Sequence, residues 1–130
     1  MMTGSPSPAR LLVVEHDAGI QDSLTAFLTS EGYAVSLATS PAEARTLLHE
    51  QSFQLVLTDL FSTSSRDRFG SVEQLRASAH PTPVGVITGW NVEEDEITRH
   101  DFAFLIRKPF DVEDLSASIT ACVNVAARVD

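Results

Sequence analysis

Apolar residues in this chain gather in five short runs separated by amphipathic stretches. Leu11–Val14, Tyr33–Ala38, a run ending at Asp59, Val84–Thr88 and Phe102–Arg107 read as strands. In Leu11–Val14 and Leu55-Val56-Leu57 the apolar residues are continuous rather than alternating. That is the pattern of strands covered on both faces in a parallel sheet.

The stretches between these runs carry helical spacing. Asp17 is placed to cap a helix whose inward face is Ile20, Leu24, Phe27 and Leu28, with Gly32 as its stop. Ser40-Pro41-Ala42-Glu43 is a capping box with proline at the first helical position, and Ala44, Leu47 and Leu48 follow on one face. Val72, Leu75 and Ala79 support a short helix that His80-Pro81-Thr82-Pro83 terminates. Asn91–His100 is charged and has only Val92 and Ile97 as anchors, so it predicts a short, weakly specified helix. Asp111 caps a last helix with Val112, Leu115, Ile119 and Val123 on one stripe. Phe61–Gly70, with Arg66, Asp67 and Arg68, reads as a long polar loop.

Five strands alternating with five helices predict an α/β, doubly wound parallel sheet with helices on both faces. Right-handed crossovers place the carboxyl ends of all strands along one edge, where open α/β sheets bind ligands. The polar residues at those ends are therefore the candidates for function. They are Glu15 and His16, Asp59, Thr88 and Lys108. Singly, each has an ordinary structural role, because acids cap helices, threonine favours strands and a lysine at a strand end is usually solvated.

Composition narrows the classes. A length of 130 residues suits one domain with one core, expected over residues 10–130 behind a flexible tail over residues 1–9. No apolar run is long enough to span a bilayer, and Met1–Pro8 has no apolar signal core. A net charge of −9 argues against non-specific nucleic-acid binding. Cys122 is the only cysteine, reads as a small buried hydrophobe, and suits a cytoplasmic location. His49, His80 and His100 show no metal-ligand spacing and read as surface or loop residues. Lys108 is the only lysine among nine basic residues, so a compact ammonium stands at one place in an arginine-using chain.

Taken together, the strand-end residues resemble the response-regulator receiver domain of two-component signal transduction. The resemblance runs from Arg10 to about Arg128. It is carried by Leu11-Leu12-Val13-Val14-Glu15, Asp59-Leu60, Val86-Ile87-Thr88-Gly89 and Lys108-Pro109-Phe110. It implies a flavodoxin-like sheet of order 2-1-3-4-5 and a stand-alone phosphorelay module rather than an enzyme. Asp59 would accept a phosphoryl group from a sensor histidine kinase or phosphotransfer protein, a reaction driven mostly by positioning and charge neutralisation. Lys108 and Thr88 would contact the phosphoryl oxygens. Mg²⁺ would be held by Glu15, Asp59 and the backbone carbonyl of Phe61. Pro109 would follow a cis peptide bond, and a protein partner would read the face of the fourth helix, fifth strand and fifth helix. Neither nucleic acid nor membrane is expected as a partner, and the state expected is monomer or weak homodimer.

The sequence departs from the family pattern at several places. His16 stands where the family has the acid that contacts the metal, which implies weak Mg²⁺ binding. Leu105 fills the switch position, which is usually aromatic, and Trp90 lies close to the site. These departures keep open a pseudo-receiver with little phosphoryl chemistry, acting as a binding module. A small aspartyl-nucleophile phosphatase is a remoter reading, because Phe61 stands where that motif needs an acid. A dinucleotide site lacks its Gly-x-Gly-x-x-Gly after the first strand.

Overall fold

The computed structural model describes residues 8–60, 69–89 and 91–128, with side chains of the last helix described as far as residue 123. Five strands, β1 (Arg10–Val14), β2 (Ala34–Ala38), β3 (Leu55–Thr58), β4 (Val84–Thr88) and β5 (Leu105–Arg107), form one sheet of order β2-β1-β3-β4-β5. All four pairings are parallel. The helices are α1 (Ala18–Ser30), α2 (Pro41–Glu50), α3 (Gly70–Ala79), α4 (Glu94–Arg99) and α5 (Val112–Arg128). None of the described helices is long and apolar enough to cross a membrane.

The continuous apolar runs feed two cores because successive strand residues point to opposite faces. Leu11, Val13, Leu55 and Leu57 pack with Leu24 and Leu28 of α1 and Leu115 and Ile119 of α5. Leu12, Val14, Val56 and Val86 face the other way, against Ala44 of α2, Val72 and Leu75 of α3, and Ile97 of α4. Two helices thus cover one face and three the other, which is why no strand shows polar alternation.

Local capping sets the helix starts. The Asp17 side chain accepts the Ile20 N–H at 3.0 Å, and Gly32 takes the left-handed conformation at φ 94° just after α1. The Ser40 hydroxyl accepts the Glu43 N–H at 3.2 Å. The Glu43 carboxylate reaches past Ser40 to the Thr39 N–H at 2.8 Å, so the box closes one residue early. At α4, where the sequence shows little apolar support, the Glu96 carboxylate accepts the Glu93 N–H at 3.0 Å.

Three sequence expectations need correction. The fifth strand, Leu105–Arg107, is shorter than Phe102–Arg107: Asp101 turns the chain at φ 63°, Phe102 is buried on the α3/α4 side, and Ala103 and Phe104 bond to β4 ahead of the strand. Val112 is 46% exposed and off the inward stripe of α5, which is made by Leu115 and Ile119 with Cys122 and Val123 half-buried beside them. Burial also pushes the Cys122 thiol pKa up, so it behaves as a small apolar group. His100 is not a plain surface residue. Its ring stacks on Phe69 at 4.3 Å, and its Nδ1 lies 3.0 Å from Glu73 Oε2, tying the end of α4 to α3.

Candidate functional site

Three backbone hydrogen bonds build the site. The parallel register sets Val14 beside Thr58, and beyond the strands the Asp59 N–H donates to Val14 O at 3.1 Å while the Glu15 N–H donates to Ala38 O at 3.0 Å. The ladders thus continue one residue past β1 and β3 and hold Glu15 and Asp59 next to each other. On the far side, Thr88 pairs with Arg107 in register, and the Lys108 N–H donates to Thr88 O at 2.9 Å. The Lys108–Pro109 peptide is cis, as is His80–Pro81, whose cis form no sequence signal marked.

Lys108 then reaches back across the strand ends. Its ammonium donates to Glu15 Oε1 at 2.6 Å and to Asp59 Oδ2 at 3.0 Å. Burial alone would lower the lysine pKa, but the hydrogen bonds and charges of the two carboxylates outweigh it and the pKa is raised. Glu15 is fully buried and Thr88 equally so. The second oxygens are also engaged: Glu15 Oε2 accepts the Asp17 N–H at 3.1 Å, and Asp59 Oδ1 accepts the Leu60 N–H at 2.7 Å. Gln21 Nε2 donates to the Glu15 carbonyl, tying α1 to the same corner.

Asp59 and Lys108, with Gly89 and Asn91, line an open depression of about 490 Å³ at the carboxyl edge of the sheet. His16 lies beside it, 66% exposed, with Nδ1 3.6 Å from Glu15 Oε2. Glu15, His16 and Asp59 each offer a ligand atom, and the three atoms lie within 4.8 Å of one another. Leu105 is elsewhere, half-buried in a groove shared with Arg107, Pro109, Asp114 and Ala117. Phe61 and Trp90 lie outside the described residues.

Four strand-end residues, Glu15, Asp59, Thr88 and Lys108, therefore meet at one edge. The buried Lys108–Glu15 contact is a feature that sequence reasoning missed. From sequence, Glu15 reads as a metal ligand, with no partner among the basic residues. A glutamate directly after a fully apolar strand, in a chain with a single lysine, was the available signal. Arg107 also escaped notice, although its guanidinium donates to Val92 O at 2.6 Å and pins the segment leading into α4.

Residues 11–120 match the family model described as the response regulator receiver domain. The transcriptional regulatory protein PmrA of Pectobacterium parmentieri is 28% identical over 117 residues, which cover 88% of this chain and 52% of that protein. The chain spans about half the length, or less, of the curated relatives it matches. Among solved structures, the CheY-like response regulator receiver domain protein from Methanospirillum hungatei JF-1 superposes with a TM-score of 0.82 at 23% identity, over 95% of this chain and 100% of that one. The chain crystallised with the Saccharomyces cerevisiae histidine phosphotransfer protein Ypd1, described as the receiver domain of Ssk1, is similar with a TM-score of 0.75 at 20% identity, over 95% and 94%.

Proposed function

Because the chain belongs to the response regulator receiver domain family, we propose that Asp59 accepts a phosphoryl group from a phosphohistidine donor and that a protein partner reads the result. One observation carries this reading: among the described residues, the one aspartate that contacts the Lys108 ammonium is also the one facing the open depression. An Asp59 oxygen would attack the phosphorus in line, with the donor imidazole leaving on the opposite side. Lys108 would turn from Asp59 Oδ2 to the phosphoryl oxygens, where its point charge offsets the incoming negative charge. Thr88, at the end of β4, would offer its hydroxyl to the same oxygens.

The two carboxylates, converging from adjacent strand ends, fit a divalent cation, with Mg²⁺ the ion the family resemblance implies. Glu15 and Asp59 would hold it together with the Phe61 carbonyl, with His16 standing where the family has an acid. Such an ion neutralises phosphoryl charge when bound. The complex of Ypd1 with the receiver domain of Ssk1 supports a histidine phosphotransfer protein, or the kinase itself, as the class of donor. For the output we assign the α4–β5–α5 face. Leu105 has no ring or hydroxyl to swing there, so the coupling runs through Arg107 and the Val92 segment it holds.

The pseudo-receiver reading is not favoured, because Asp59 and Lys108 are both present and in contact. Family membership likewise sets the phosphatase reading aside. The test is to incubate the chain with a small phosphodonor and a divalent cation and weigh it intact. One added phosphoryl group is expected, and none in Asp59→Asn. Undiminished label in that variant would move the acceptor elsewhere.

A further inference from the structure

We propose that the cation site in this pocket is a mixed nitrogen–oxygen site, with His16 as a ligand, that selects a transition cation such as Zn²⁺, Co²⁺ or Ni²⁺ over Mg²⁺. The proposal deepens the function above and rests on it only in taking the same pocket as the cation site. It does not require Asp59 to be phosphorylated.

The donor set is the first ground. Glu15, His16 and Asp59 bring one ligand atom each to within 4.8 Å of one another. Ligand atoms at ordinary bond lengths around a zinc-like ion stand roughly 3–4 Å apart, so the cluster must contract by a fraction of that spacing. His16 can supply the movement, since it is the exposed member, on the turn between β1 and α1. Glu15 and Asp59 are held by the sheet. Imidazole suits Zn²⁺, Co²⁺ and Ni²⁺, whereas Mg²⁺ demands near-octahedral oxygen and releases water reluctantly.

The second ground is what already occupies the oxygens. Lys108 sits between Glu15 and Asp59 as an internal cation, and each carboxylate also accepts a backbone N–H. A hard ion held by charge alone competes with that ammonium for the same lone pairs. A nitrogen ligand adds a bond that the competition does not weaken. Asp17 is not a member of the ligand cluster among the described residues; its Oδ1 caps α1 by accepting the Ile20 N–H.

The experiment uses the full chain, free of any histidine tag and without phosphodonor. Co²⁺, Zn²⁺ and Mg²⁺ are titrated by calorimetry, and Co²⁺ is also followed by its ligand-field absorption and by paramagnetic broadening of the histidine ring signals. Co²⁺ is expected to broaden His16 and to leave His49 and His80 sharp. His16→Asp should lower Co²⁺ affinity and raise Mg²⁺ affinity, each roughly tenfold, so that their ratio shifts roughly a hundredfold toward Mg²⁺. His16→Ala should lower Co²⁺ affinity with no gain for Mg²⁺. Circular dichroism checks that each variant folds, which its exposed position favours. An unchanged Co²⁺/Mg²⁺ ratio in His16→Asp, or broadening confined to other histidines, overturns the proposal. Loss of Asp59 labelling with these titrations intact would instead sink the phosphoacceptor reading alone.

Discussion

The ammonium of Lys108 lies closer to Glu15, at 2.6 Å, than to Asp59, at 3.0 Å. The lysine is therefore shared between a fully buried carboxylate and a second one that borders the open depression. Any group that draws Lys108 toward Asp59 does so against its hold on Glu15. The lysine thus ties the position of the Asp59 carboxylate to the stability of the strand edge.

Removing that lysine leaves two carboxylates facing each other with no counter-charge. Lys108→Met should lower stability at neutral pH by on the order of 3 kcal/mol, the usual cost of breaking a buried pair from one side. The pKa of Lys108 is raised in the folded state, so its contribution is fully present below the unfolded value of about 10.5 and is lost as pH rises through the higher folded one. Urea unfolding across a pH series should show a gap between wild type and variant that is constant from neutrality up to mild alkali and closes in strong alkali.

Glu73 titrates at the other end of the scale. Burial alone would raise its pKa, but hydrogen bonds from His100 and Arg76, with their charges, outweigh it and hold the pKa below the usual 4.5. Its stabilisation is therefore present above the unfolded pKa and disappears as pH falls through the depressed folded value. The pair is part-exposed, so Glu73→Gln should cost less than about 1 kcal/mol at neutral pH. In acid, thermal unfolding of the two proteins should coincide.

Gly85 lies in β4 under the ring of Phe104, and a Cβ there would overlap three ring atoms. Gly85→Ala should destabilise by about 1–3 kcal/mol through overpacking. The substitution Phe104→Leu, made on top of it, should recover part of that loss. A double-mutant cycle measures the coupling, and strict additivity would mean the loss does not arise from the Phe104 ring.

Asp17 separates a cap from a ligand. Asp17→Ala removes the acceptor of the Ile20 N–H and should cost about 1 kcal/mol in chemical unfolding. Because that carboxylate is committed to the helix, the variant should bind Co²⁺ as the parent does. A marked fall in Co²⁺ affinity would place Asp17 among the ligands.

Much of this architecture is written in local pattern. Leu55-Val56-Leu57 and Leu11–Val14 announce doubly covered strands because every residue of a buried strand, on either face, must be apolar. Asp17, Gly32 and Ser40-Pro41 mark helix ends because the groups they satisfy are three or four residues away. The parallel sheet and the gathering of Glu15, Asp59, Thr88 and Lys108 at one edge follow from strand and helix alternating with right-handed crossovers. Partner identity does not follow, because hydrophobic period encodes which face a residue takes and not what meets it there. Lys108 and Glu15 are 93 positions apart in the chain, and only the relative placement of β1 and β5 across β3 and β4 brings them to hydrogen-bonding distance. His100 reads from sequence as one of three scattered histidines, and it becomes half-buried only because α3 carries Phe69 and Glu73 to the end of α4. Val112 has the right spacing for the inward stripe, yet it is exposed because α5 meets the sheet first at Leu115. Phe102, apolar and next to a strand, is claimed by the α3/α4 core once Asp101 turns the backbone. Short-range hydrogen bonding and side-chain alternation made the elements and their faces legible. Contacts between distant segments depend on register and crossing geometry, which only the folded chain decides.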